Sequence, residues 1–206
     1  MKILEFSKKI NRGISIRLEA IFKFKKTINK YKIGAILDKL DGEITLEEAS
    51  FLGELVRGID SDGPIIEIGT HLGYSSTIMA MNKKNTMQLI TVDNYSWNSL
   101  FLDSQSQFDL TNKLLKDLID NCNVHQKNIE KDLFYSQYIG ECPSLVFLDA
   151  DHSYEEAKKD ILWAKKIGAG IICGHDYFDE YPGVIKAVNE MGGCKELFQT
   201  LWVLDS

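Results

Sequence analysis

Short apolar runs alternate with longer amphipathic stretches over most of this chain. The runs are Ile65–Ile68, Gln88–Val92, Leu145–Leu148 and Gly170–Cys173, with a weaker one at Asn123–Gln126. Their near-continuous apolar character reads as strands buried on both faces. Apolar residues at helical spacing predict helices over roughly 74–82, 108–120, 153–167 and 183–191. After the Gly192-Gly193 turn, Phe198 and Leu201–Leu204 predict a closing strand or hairpin. Strands that alternate with helices in this way define an α/β fold, a doubly wound and mostly parallel sheet covered by helices on each side, here with a C-terminal antiparallel hairpin strand.

Upstream of the first strand, Thr45-Leu-Glu-Glu48 has the form of a capping box, with Phe51, Leu52, Leu55 and Val56 as the buried face of the helix it starts. Asp62-Gly63-Pro64 ends that segment. Earlier still, Ile3, Phe6, Ile10, Ile14, Leu18 and Ile21 step by three or four around Gly13, the pattern of an amphipathic helix. The chain therefore divides into a helical extension, 1–44, and a domain, 45–206. The extension suits a helix packed on the body or on a second copy in a homo-oligomer such as a dimer, a helix lying on a membrane surface, or a lid.

Charge sharpens this division. Residues 1–32 carry ten Lys or Arg against two Glu, whereas the remainder carries 14 basic and 28 acidic residues. So acidic a body repels nucleic acid and polyphosphate, so no nucleic-acid partner is expected. With 206 residues, 44% of them hydrophobic, the chain can bury a core without disulfide or metal. Cys122, Cys142, Cys173 and Cys194 form no CxxC pair and read as reduced thiols. No run approaches a membrane span and no signal-type segment opens the chain, so a cytoplasmic location is expected.

Open parallel sheets bind ligands beyond the carboxyl ends of their strands, where strand order reverses. The first strand ends in Glu67-Ile-Gly69-Thr70-His71-Leu72-Gly73-Tyr74-Ser75-Ser76, a glycine turn leading into a helix. It lacks the GxGxxG spacing of a dinucleotide loop, and Glu67 beside it is poorly suited to a pyrophosphate but well suited to a ligand with positive charge. Asp93 ends the second strand, placed to accept hydrogen bonds from a ribose. Further acids follow the later strands, Asp149 in Asp149-Ala-Asp151-His152 and Asp176 in His175-Asp176-Tyr177.

A cationic nucleoside without phosphates is S-adenosyl-L-methionine, and Glu67–Ser76 closely resembles the first motif of the class I methyltransferases that use it. The segments after the fourth and fifth strands resemble those of small-molecule O-methyltransferases, nearest the macrocin O-methyltransferase and cephalosporin-hydroxylase-like group. The resemblance covers roughly residues 45–206 and implies a Rossmann-like sheet and methylation of a small-molecule hydroxyl. It implies that Glu67, Gly69, Thr70, Gly73, Tyr74 and Ser75 hold the methionine end and Asp93 the ribose. Asn94 and Tyr95 line the adenosine, with Lys127 and Asn128 beside the adenine and Asp149 also at the cofactor.

Asp149 and Asp176 match two ligands of the cation-dependent members, which implies magnesium. Tyr177 stands where those enzymes carry Asn, and His175 where the macrocin type carries an acid, so the oxygen set is incomplete. His152, three residues after Asp149, takes the place of their proton-accepting lysine, and a histidine can serve as general base. The alternative is that His152 caps or hydrogen-bonds the helix starting near Tyr154. His175 is the second candidate base or a metal ligand, His71 a loop residue and His125 a strand residue. Residues 94–112 and 177–183 are expected to border a pocket for the acceptor, a sugar or natural-product hydroxyl first and a catechol second. Two readings compete: a nicotinamide-dependent oxidoreductase, disfavoured by the absent GxGxxG, and a cofactor-binding protein without catalysis.

Overall fold

The computed structural model describes residues 44–97 and 101–204, so the basic leader, with its proposed membrane, dimer or lid roles, lies outside the described residues. The first described element, α1 (Leu46–Arg57), starts at a complete capping box in which Thr45 Oγ1 accepts from the Glu48 amide and Glu48 accepts from the Thr45 amide. Then follow β1 (Ile65–Ile68), α2 (Tyr74–Asn82), β2 (Leu89–Asp93), α3 (Ser104–Asn121), β3 (Val124–Asn128), α4 (Lys131–Gln137) and β4 (Leu145–Leu148). The chain closes with α5 (Tyr154–Lys166), β5 (Ile172–Gly174), α6 (Pro182–Glu190), β6 (Cys194–Phe198) and β7 (Leu201–Leu204).

One seven-stranded sheet runs β3-β2-β1-β4-β5-β7-β6. The first five strands are mutually parallel and β7 is antiparallel to both neighbours. The sheet is thus the doubly wound form expected, with its terminal hairpin. Strand order reverses beside β1, whose Ile68 is in register with Val92 on one side and Leu148 on the other.

Alternate residues of each buried strand feed two separate cores. Ile65, Leu89, Leu145 and Phe147 pack with Leu52, Met79 and Leu115 from α1, α2 and α3. Ile66, Ile68, Val146 and Leu148 pack on the other face with Phe134, Ile161 and Val188 from α4, α5 and α6. This alternation puts Glu67 on the α2 side of the sheet, fully buried.

Element boundaries depart from the sequence pattern for local reasons. α3 begins at Ser104 rather than near 108 because Asp103 caps it, accepting from the Ser106 amide at 2.9 Å. α4 was not anticipated, since its seven residues bury only Phe134 and are too short to show a period. β5 lies one to two residues later than expected and β3 runs on to Asn128. Among the described residues, no helix is long and apolar enough to cross a membrane.

The turn after β1 has no room for a side chain. Gly69 has φ +95°, and a Cβ there would sit 1.7 Å from the Asp149 carbonyl oxygen. Backbone this close, in the left-handed region, accommodates glycine alone. We expect Gly69→Ala to destabilise the domain by at least about 3 kcal/mol, the scale of strain plus forced backbone displacement. A fall of roughly 10 °C in the thermal midpoint would register it, and a midpoint within 2 °C of wild type would show that β1 and β4 can part here at little cost.

Candidate active site

The chain turns left at the reversal point and leaves a cavity of about 760 Å³ beyond the carboxyl ends of β1, β2 and β4. Its wall includes Gly69, Thr70 and His71 after β1, Asp93 and Asn94 after β2, Asp149 to His152 after β4, and Asp176 after β5. Four strand ends separated by as many as 106 positions in the chain thereby meet at one ligand-sized space.

Asp93 organises the near side. Its Oδ2 accepts from the Thr70 and His71 amides at 2.9 and 2.8 Å, and its Oδ1 accepts from the Tyr95 amide at 2.7 Å. These bonds hold His71 and Tyr95 at φ +47° and +56°, conformations a side chain rarely adopts without such support. Two carboxylate oxygens offer about four acceptor positions, so capacity remains for a ligand hydroxyl.

Glu67 lies beneath that turn and off the cavity wall. Its carboxyl accepts from the Ser75 hydroxyl at 2.5 Å and from the Ser76 hydroxyl. Complete burial pushes its pKa up to about 8, against the lowering effect of the two serines, with Asp149 and Asp93 adding to the rise. At neutral pH it is therefore largely neutral until positive charge arrives nearby.

The far side is an ionic cluster. His152 Nε2 lies 2.9 Å from Asp176 Oδ2, off the line of a hydrogen bond, and 3.6 Å from Asp149 Oδ1. Burial works to lower the His152 pKa, but the two carboxylates outweigh it and lift it to about 9. Asp176 is burdened by burial yet held well below the ordinary carboxylate range by His152 and His175. It also sits at φ +63°, an uncommon conformation for a non-glycine residue, of the kind that gathers at functional sites. His175 is buried behind Asp176. Its Nδ1 lies 3.1 Å from Asp176 Oδ1, and its Nε2 lies 2.8 Å from the Thr200 hydroxyl and 3.4 Å from Glu48 Oε2.

Most of the expected site residues therefore assemble. Gly69, Thr70, Tyr74, Ser75, Asp93, Asn94, Asp149, His152 and Asp176 all line the cavity. Four do not. Glu67 and Gly73 lie under it, the glycine because a Cβ there would meet Leu115 at 2.7 Å. Asn128 lines a separate hollow of about 400 Å³ with Lys127, Phe134 and Tyr138. His175 reaches the site only through Asp176.

Gln107, within the expected 94–112 segment, also lines the cavity, which further recruits residues that the sequence did not single out: Glu130, Lys131, Asp132 and Glu156. Lys131 is paired with Glu156 and with buried Asp160, which explains why a lysine sits in an acidic cavity. His71 is more than a loop filler, since it forms part of the wall and meets the Trp97 ring edge-on at 4.8 Å. Trp97 and Tyr181 fall in the two segments expected to border an acceptor pocket, and both line the cavity.

A doubly wound sheet in this order, with a glycine turn and acidic strand ends around one cavity, is the architecture of Rossmann-like methyltransferases. Residues 66–177 match the family of methyltransferase domains, and the chain belongs to that family and is a methyltransferase. No curated protein matches the sequence. Among solved structures, it is similar to an O-methyltransferase from Bacillus cereus in complex with SAH, with TM-score 0.64 and 17% identity over 82% of this chain and 78% of that one. It is also similar to the O-methyltransferase TomG from Streptomyces achromogenes, involved in tomaymycin synthesis and solved with SAM, with TM-score 0.60 and 18% identity over 84% and 77% of the two chains. An SAH-bound methyltransferase from Podospora anserina matches at TM-score 0.56 and 18% identity over 77% and 62%.

The raised pKa of Glu67 has a sign that can be checked. Folding takes up a proton between the unfolded carboxyl value near 4.5 and the folded value of about 8, so this group makes stability fall as pH rises through that window. We expect Glu67→Gln to remove up to about 1.4 kcal/mol of that slope per pH unit. Denaturant midpoints of wild type and variant, compared from pH 5 to 8, isolate the contribution of this one group. Parallel curves would mean that Glu67 is ionised in the folded protein.

Proposed function

We propose that the chain transfers the methyl group of S-adenosylmethionine to a hydroxyl of a small neutral molecule, a sugar or natural product first and a catechol second. The observation that carries this reading is the placement of Asp93, Asp149 and the Gly69–Gly73 turn around one cavity. That wall suits a nucleoside whose reactive end is cationic, since the carboxylates attract a sulfonium and would repel phosphate. The proteins of similar fold crystallised with SAM or SAH support the same choice. No dinucleotide-type loop follows β1, which sets the oxidoreductase reading aside.

The reaction is a displacement at carbon. The acceptor oxygen forms a bond to the methyl carbon, the carbon–sulfur bond breaks, sulfur keeps the electron pair, and the hydroxyl proton passes to a base. The turn at Gly69–Leu72, fixed by Asp93, orients the cofactor, and alignment of this kind is worth about 7 to 11 kcal/mol in favourable cases. Trp97 and Tyr181 offer flat apolar faces against which a ring acceptor can lie.

His152 is the residue on the wall placed to take the proton at Nε2, and its first need is to shed the one it already holds between Asp149 and Asp176. Asp149, His175 and Asp176 each offer one ligand atom, all within 4.8 Å of one another, so the donor set fits a divalent cation. The two carboxylate oxygens suit magnesium or manganese, and the imidazole nitrogen moves the preference away from magnesium. When bound there, such a cation would acidify the acceptor hydroxyl and replace His152 as the positive partner of the carboxylates. The neutral imidazole of His152 is then the base, while Glu48 and Thr200 hold His175 in place from behind.

Calorimetric titration with S-adenosylhomocysteine tests the reading, run with magnesium, with manganese and with a chelator. Saturable one-to-one binding that survives the chelator is expected, and its absence in all three conditions would remove the cofactor assignment. Asp149→Ala is expected to abolish product formation on a panel of sugars and phenols while changing the affinity for S-adenosylhomocysteine less than about tenfold. Full turnover in that variant would exclude Asp149 from the acceptor side.

A further inference from the structure

The buried stripe of α3 runs Gln107, Thr111, Leu114, Leu115 and Leu118. Its lower half is leucine, with Leu115 and Leu118 packed into the core with β1, β2 and β3. Its upper half is polar. Thr111 is satisfied, donating to the His71 carbonyl at 2.6 Å. Gln107, one turn nearer the start of α3, is 1% exposed, lines the cavity, and its Oε1 has no hydrogen-bond partner among the described residues. An acceptor buried without a donor is destabilising, and a leucine continuing the stripe would avoid that cost.

The helix face that carries this oxygen is held in place. Thr111 ties the same helix face to the β1–α2 turn at His71, and Phe108, next to Gln107, packs edge-on against Tyr95 at 5.5 Å. Gln107 therefore stands beside the turn, where the amino-acid end of the proposed cofactor would lie. Glu67, the other candidate for that end, has both carboxyl oxygens engaged by Ser75 and Ser76 and lies off the cavity wall. We infer that Gln107 is a cofactor-binding residue whose side-chain oxygen accepts a hydrogen bond from the α-ammonium group of the cofactor's methionine moiety. This rests on the S-adenosylmethionine reading above and adds to it a contact outside the motif at β1.

Two probes separate the inference from that reading. S-Adenosylhomocysteine carries the amino-acid end, and 5′-methylthioadenosine keeps the adenosine but lacks that end. In Gln107→Leu, affinity for S-adenosylhomocysteine is expected to fall about tenfold, the factor that corresponds to about 1.4 kcal/mol, while affinity for 5′-methylthioadenosine stays within twofold. The unliganded variant is expected to unfold at or above the wild-type midpoint, because the orphaned oxygen is gone. Gln107→Met serves the same comparison should the leucine variant misfold. Unchanged S-adenosylhomocysteine binding in a folded variant overturns the inference and leaves the cofactor reading intact. An equal loss for both probes also overturns it, placing Gln107 at the ribose or in the scaffold. A wild-type protein that binds neither probe overturns both.

Discussion

Three backbone amides converge on the carboxylate of Asp93, and the ligand-facing side of the molecule depends on that convergence. The strand ends deliver their chains into open space, where nothing in the sheet ladder dictates direction. Asp93 supplies the direction by drawing Thr70, His71 and Tyr95 inward at the cost of two left-handed side-chain-bearing residues. Gly69 completes the turn because the Asp149 carbonyl occupies the space a Cβ would need. The cavity is what remains between two segments fixed from the same carboxylate.

On the opposite wall the governing quantity is charge. Asp149 and Asp176 approach one another closely enough that something positive must stand between them, and here His152 does so. The chain extends this wall backward through His175 to Glu48, which also accepts from the Thr200 amide and hydroxyl. One glutamate thus serves the cap of α1, the start of β7 and the support of a carboxylate facing the cavity. The helix preceding β1 is bound to the far end of the sheet through it, so the acidic cluster is held by elements from both ends of the domain.

Much of this was legible in the sequence. Buried parallel strands are runs of apolar residues, so β1, β2, β4 and the partner helices announce themselves. The rule that ligands gather at strand ends then selects Asp93, Asp149, His152 and Asp176 without any knowledge of their distances. Local capping was readable at Thr45 and Glu48 because both partners lie within four residues. By contrast, α4 buries one residue and has no period, and Asn128 ends its strand, as Asp93 does, yet faces a different hollow.

The sequence by itself determined the order of elements, the two-sided sheet and the acidic character of the strand ends, because these follow from periodicity and residue type over short spans. Only the tertiary structure decided which of those acids face the cavity. Glu67 is turned under α2 by the alternation of the strand, and His175 is set behind Asp176 by its contacts with Thr200 and Glu48. Gln107 carries no motif at all, and its role follows from an unsatisfied oxygen that exists only once α3 is packed. Hydrogen bonds between residues more than a hundred positions apart, such as that from Thr200 to Glu48, leave no trace in local pattern, and it is such bonds that turn a set of strand ends into a site.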